Sequence, residues 1–125
     1  MEQYYTSAME AYAKRMQVLG DATYRAARGE QIVLIYPFRF FMVGDMRKNC
    51  PETATLSVAH NQWQFPSGGV VWFRDMAVNA ESLRGVQAEF IVLGGTFGGI
   101  NPKLLDLITE KNTRLYGAIV NARDC

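Results

Sequence analysis

The sequence is poor in the residues that usually carry chemistry. It has two cysteines, Cys50 and Cys125, and a single histidine, His60. Two thiols and one imidazole fall short of a four-ligand structural zinc site, and cysteines this far apart give no disulfide framework. Reduced thiols and no bound metal are expected. Neither sign of charge dominates, since 13 basic and 12 acidic side chains leave a formal charge of +1. That balance excludes a broad electrostatic footprint for nucleic acid or an acidic membrane. No apolar run approaches the roughly 18 residues of a membrane helix. The opening Met1-Glu2-Gln3-Tyr4-Tyr5 lacks the basic-then-apolar profile of a signal peptide. A cytoplasmic chain is therefore expected, with no membrane association. A length of 125 residues, without repeat, low-complexity tract or linker, predicts one domain over residues 1–125.

What is present is hydrophobic periodicity. Tyr5, Met9, Tyr12, Met16, Leu19, Thr23 and Ala26 alternate spacings of four and three, which predicts an opening helix with these residues as its core stripe. Gly29 stands where a left-handed C-cap would end it. Gln31–Tyr36 is a continuous aliphatic run closed by Pro37, the pattern of a strand buried on both faces. Phe38, Phe41, Met42, Asp45 and Met46 then predict a short helix over residues 39–49. The period changes after Pro51. Trp63-Gln64-Phe65, a Pro66-Ser67-Gly68-Gly69 turn and Val70-Val71-Trp72-Phe73-Arg74 read as an antiparallel hairpin, with Trp63 and Phe65 as its exposed contact surface. Residues 75–87 read as loop, and Phe90-Ile91-Val92-Leu93 as a second apolar strand. Asn101 with Pro102 starts a predicted helix to about residue 113. Leu115 to Val120 reads as a last strand. Helix, strand, helix, hairpin, strand, helix, strand is the order of a three-layer α/β/α domain with a mostly parallel sheet and an added β-hairpin.

Residues 65–95 carry a family resemblance. Pro66-Ser67-Gly68, Val71-Trp72-Phe73 and Asn79-Ala80-Glu81-Ser82-Leu83-Arg84-Gly85, followed by a hydrophobic strand, resemble the ATPase domain of viral large terminase subunits. These DNA-packaging motors share the P-loop NTPase core of helicases. The resemblance implies that the opening helix corresponds to the one after the phosphate loop, and that Gln31–Tyr36 runs parallel to residues 90–93. It also implies that the last strand carries the coupling motif, at Asn121.

The departures from the family matter more than the match. Phosphoryl transfer by such a domain needs a phosphate-cradling loop, a lysine on the β/γ-phosphates and a hydroxyl on magnesium. No GxxxxGK[ST] occurs here, and Thr6-Ser7 stand alone without a cradle. The acidic pair that holds magnesium would fall at Leu93, Gly94 or Gly95, none of which has a side chain able to bind a cation. The expectation is a truncated, P-loop-NTPase-like framework without hydrolytic groups and without a cofactor. Its role would be contact with a protein partner or a second copy of itself, at Trp63, Phe65 and Arg84.

Other sites have thinner support. Gly94-Gly95-Thr96-Phe97-Gly98-Gly99 lies between a strand and a helix, where backbone amides can form an anion nest. Gly94, Gly95, Thr96, Gly98, Gly99 and Asn121 are accordingly the candidate ligand-binding residues of a small-ligand or nucleotide-binding alternative. The GGxxGG spacing does not match a dinucleotide fingerprint, and Pro102 lacks an amide donor. His60 has no nucleophile-elbow sequence beside it. Arg39, Arg47, Lys48 and Arg74 interleave with Phe38, Phe40, Trp72 and Phe73 as a nucleic-acid patch would, but the near-neutral charge favours solvated arginines beside core aromatics.

Overall fold

Strand β1 (Gln31–Tyr36) takes the centre of the sheet because Ile32, Val33, Leu34, Ile35 and Tyr36 leave it no polar side: all five are fully buried. Full burial of one aliphatic side chain contributes about 1.5–3 kcal/mol, so no other strand position would serve this run as well. The computed structural model describes residues 8–36, 38–75, 80–93 and 114–116. Around β1 are arranged α1 (Ala8–Ala27), α2 (Arg39–Lys48), β2 (Thr55–Ser57), β3 (Gln62–Gln64), β4 (Val70–Asp75), α3 (Ala80–Arg84), β5 (Glu89–Leu93) and β6 (Arg114–Tyr116). The sheet has six strands in the order β2-β3-β4-β1-β5-β6. Strands β4, β1, β5 and β6 are parallel, with Leu34 opposite both Phe73 and Ile91. Strands β2 and β3 fold back antiparallel beyond β4. The hairpin expected around the Pro-Ser-Gly-Gly turn is therefore present, and β2 extends it by one strand.

Both long helices lie on one face of this sheet. Val18, Leu19, Ala22 and Ala26 of α1, with Met42 and Met46 of α2, pack on Ile32, Leu34, Tyr36, Val71, Phe73, Ile91 and Leu93. On the opposite face Val33, Ile35, Phe90 and Val92 are buried as well. The predicted helix from Asn101 lies outside the described residues, as does the strand beyond Tyr116. Mixed α/β architecture is what the described residues display. The segment expected to be a plain loop contains α3, whose Ala80, Glu81, Leu83 and Arg84 are good helix formers.

The stripe predicted for α1 needs correction. Its C-terminal half is core, but Met9 and Tyr12 are 81% and 53% exposed. A twenty-residue helix is about 30 Å long, whereas the six residues of β1 span about 20 Å, so such a helix is longer than the central strand it packs on. The last turn is fastened tightly. Gly29, at φ 98°, ends the helix as expected, donating to the Ala26 carbonyl while Glu30 donates to that of Arg25. Arg25 also pairs with Glu30 and with Glu89 at the start of β5, which holds the Glu30 carboxyl below its ordinary range.

The turn after β3 is the second fastening. Ser67 Oγ donates to the Ala26 carbonyl at 2.8 Å, and Gln31 Nε2 donates to the Gly68 carbonyl at 2.8 Å. The hairpin turn thus supplies a partner to a helix end that would otherwise keep an under-satisfied acceptor.

Candidate functional site

Trp63 and Phe65 do not form an exposed contact surface. Trp63 is 0% exposed and Phe65 5% exposed, so neither can meet a partner. Trp63 packs edge-on against Phe73 with ring centroids 4.8 Å apart, and its indole donates to the Met46 carbonyl at 2.9 Å. The physical reason is register. Trp63 pairs with Val71, whose side chain points at the helices, so Trp63 points there too. Arg84 ends α3, and its side chain lies outside the described residues. Gly94, Gly95, Thr96, Gly98, Gly99 and Asn121 also fall outside them. Leu93, one of the three positions at which the family resemblance would put a magnesium-holding acid, is a fully buried core residue, and the other two, Gly94 and Gly95, lie outside the described residues.

The basic–aromatic set divides. Phe73 belongs to the core, and Arg74 is half-buried against β-turn carbonyls, with Nη1 donating to Phe73 at 2.8 Å and to His60 at 3.2 Å. Burial pulls the Arg74 guanidinium below its ordinary value. Arg39, Phe40 and Lys48, in contrast, meet α1 around a cleft of about 720 Å³ whose walls include Tyr12, Arg15 and Phe41. His60 lies in an exposed turn. Among the described residues no group of three His, Cys, Asp or Glu side chains is placed to hold a metal ion.

This cleft is built from a buried polar anchor outward. Asp45 is buried on α2, and its Oδ2 accepts from Arg15 Nε of α1 at 2.8 Å and from the Tyr36 hydroxyl of β1 at 3.1 Å. Burial, with the Asp45 charge beside it, pushes Tyr36 well above the usual phenol range, so it stays a donor. Three elements are thereby tied at one carboxylate oxygen. The same anchor fixes the Arg15 guanidinium over two rings, 4.9 Å from the Phe41 centroid and 5.6 Å from that of Tyr12. Phe41 in turn meets Phe38 and Phe40 edge-on, each at 5.9 Å. Phe40 stands 84% exposed at the rim. The result is a rigid apolar hollow edged by cations.

Asp45→Ala tests the anchor. It leaves Arg15 without its carboxylate and the Tyr36 hydroxyl without its acceptor, and Tyr36 is fully buried. A loss of about 2–3 kcal/mol is expected, because a buried donor left unmade loses its desolvation compensation. Urea unfolding would read it as a lower midpoint at unchanged slope.

Sequence reasoning missed this cleft. The signal available was Phe40-Phe41 beside Arg39, but the α1 residues that complete the wall lie more than twenty positions away. Comparison with protein-family models, with curated proteins and with solved structures gave no match.

Proposed function

We propose that this chain is a non-catalytic accessory protein of a viral packaging system, a binding protein on a terminase-ATPase-like framework that acts by protein–protein contact. The observation that carries the binding role is the α1–α2 cleft. Phe40, Phe41 and Tyr12 are exposed together there, whereas Trp63, Tyr36 and Phe73 are fully enclosed. A clustered exposed aromatic patch with an arginine held across it has the composition of an interface centre rather than of ordinary surface.

Two features support the framework. Strand β1 runs parallel to β5, the pairing that the terminase resemblance implies for these two strands. The antiparallel β3–β4 hairpin sits beside them as the added element. In that framework helices cover both faces of the sheet, and burial of Val33, Ile35, Phe90 and Val92 suits such a cover. Residue type supports the non-catalytic reading. Leu93 is an aliphatic side chain sealed in the core, and a phosphoryl-transfer site at that strand end would need a carboxylate to hold its cation.

The test is a titration with ATP and magnesium, followed by calorimetry and by phosphate release. Neither saturable heat nor turnover is expected. Turnover would remove the non-catalytic reading. Saturable binding without turnover would favour the small-ligand protein, with residues 94–99 and Asn121 as its site.

A further inference from the structure

We propose that the α1–α2 cleft takes a short acidic–apolar segment of a partner protein, its apolar side chain seated against Phe41 and Tyr12 under Phe40 and its carboxylates at the rim on Lys48 and Arg39. This inference deepens the binding-protein reading and rests on it.

Charge selects the occupant. Among the described residues, Arg15, Arg39 and Lys48 line the cleft with one carboxylate, Asp45, already engaged by Arg15 and Tyr36, and Asp75 stands beside Arg39, so three cations face two carboxylates. The hollow therefore presents net positive charge around an apolar floor. A second copy of this chain docked cleft to cleft about a two-fold axis would bring the same cations face to face, and like charges brought together at a desolvating interface are repelled. A single-stranded nucleic acid would meet the opposite difficulty. Two of the three cations already have carboxylates, Arg15 with Asp45 at 2.8 Å and Arg39 with Asp75 at 3.7 Å. A nucleic-acid strand binds along a track of cations, one for each phosphate neutralised. Here there is room for one or two contacts.

A peptide carrying an acid beside an aromatic or aliphatic residue matches both parts. The Arg39–Asp75 contact is long and the Arg39 side chain is 64% exposed, so Arg39 can turn to an incoming carboxylate at little loss. The wall is preformed because Asp45 and Phe41 hold Arg15 from both sides, which limits the ordering cost of binding.

Selection of short random peptides displayed against the immobilised protein is the test, with Phe40→Ser as the counter-selected surface. Fluorescence anisotropy then measures the selected peptides in solution. Enriched sequences are expected to pair Asp or Glu with Phe, Leu or Trp. Their affinity should fall about tenfold or more in Phe40→Ser, and by a similar factor in Lys48→Glu. Both side chains are in solvent, so thermal unfolding of the two variants should match the parent. Enrichment of basic or purely polar peptides would overturn the proposal, and so would peptides that bind Phe40→Ser equally well. Tighter binding of a thymidine oligonucleotide would assign the cleft to nucleic acid instead. A dimer in sedimentation that Phe40→Ser dissolves would assign it to a second copy. These outcomes are independent of the ATP titration, so failure here leaves the non-catalytic reading standing, and turnover there is recognised separately.

Discussion

Gly69→Ala is expected to prevent stable folding. A Cβ built on Gly69 would lie 1.8 Å from the Ala26 carbonyl oxygen, 2.7 Å from its carbon and 2.9 Å from its Cα. All three atoms are backbone, so no rotamer change relieves the clash. The turn or the end of α1 must move by more than an ångström. Either movement breaks the Ser67 bond to the Ala26 carbonyl and strains the 2.9 Å bond from Phe65 N to the Gly69 carbonyl that closes the hairpin. A loss of more than about 4–5 kcal/mol is expected, a large part of a domain's net stability. Gly68→Ala is the matched control. Its Cβ meets nothing within 4 Å, but φ is +92°, so the left-handed backbone alone sets a loss of about 1–2 kcal/mol. Soluble yield and urea midpoints should rank Gly69→Ala far below Gly68→Ala. Equal midpoints would mean that the turn does not sit against the helix end.

Trp63→Ala is expected to lower stability by about 3–5 kcal/mol, as for a large aromatic removed from a close-packed core. The indole is fully enclosed between Phe73 and α2. Truncation opens a cavity and leaves the buried Met46 carbonyl without its donor. Trp63→Phe separates the two contributions, since it keeps an aromatic against Phe73 and loses the 2.9 Å bond, for about 1–2 kcal/mol. Chemical denaturation of both variants checks the split. A Trp63→Ala protein as stable as its parent would return Trp63 to the surface, where sequence pattern had put it.

That misplacement shows what a one-dimensional pattern contains. Gln62-Trp63-Gln64-Phe65 alternates, so Trp63 and Phe65 must share one side of a strand. Alternation does not say which side is covered. The pairing of Trp63 with Val71 decides it, and that is a long-range fact. Strand β1 was legible because Ile32 to Tyr36 leaves neither side polar, so no choice of face arises. The hairpin turn was legible because proline and glycine act locally. The α1 stripe was half legible: spacing located one face of the helix, but not how much of that face is covered, and Met9 and Tyr12 are left exposed. The candidate cleft was almost wholly hidden. Its cations and rings look like solvated surface in each helix separately, and Asp45 gains its partners from α1 and β1 only on folding.

The strand order has a consequence for how the chain acquires its shape during synthesis. Strand β1 is flanked on both sides by strands made later, β4 from residue 70 and β5 from residue 89. As it leaves the ribosome, the Ile-Val-Leu-Ile segment has neither neighbour and no local hairpin to hide in. Parallel pairing across such sequence separations is slow, and an unpaired apolar strand invites association with other nascent chains. The amphipathic α1, translated just ahead of it, is an earlier element able to shield it during that interval.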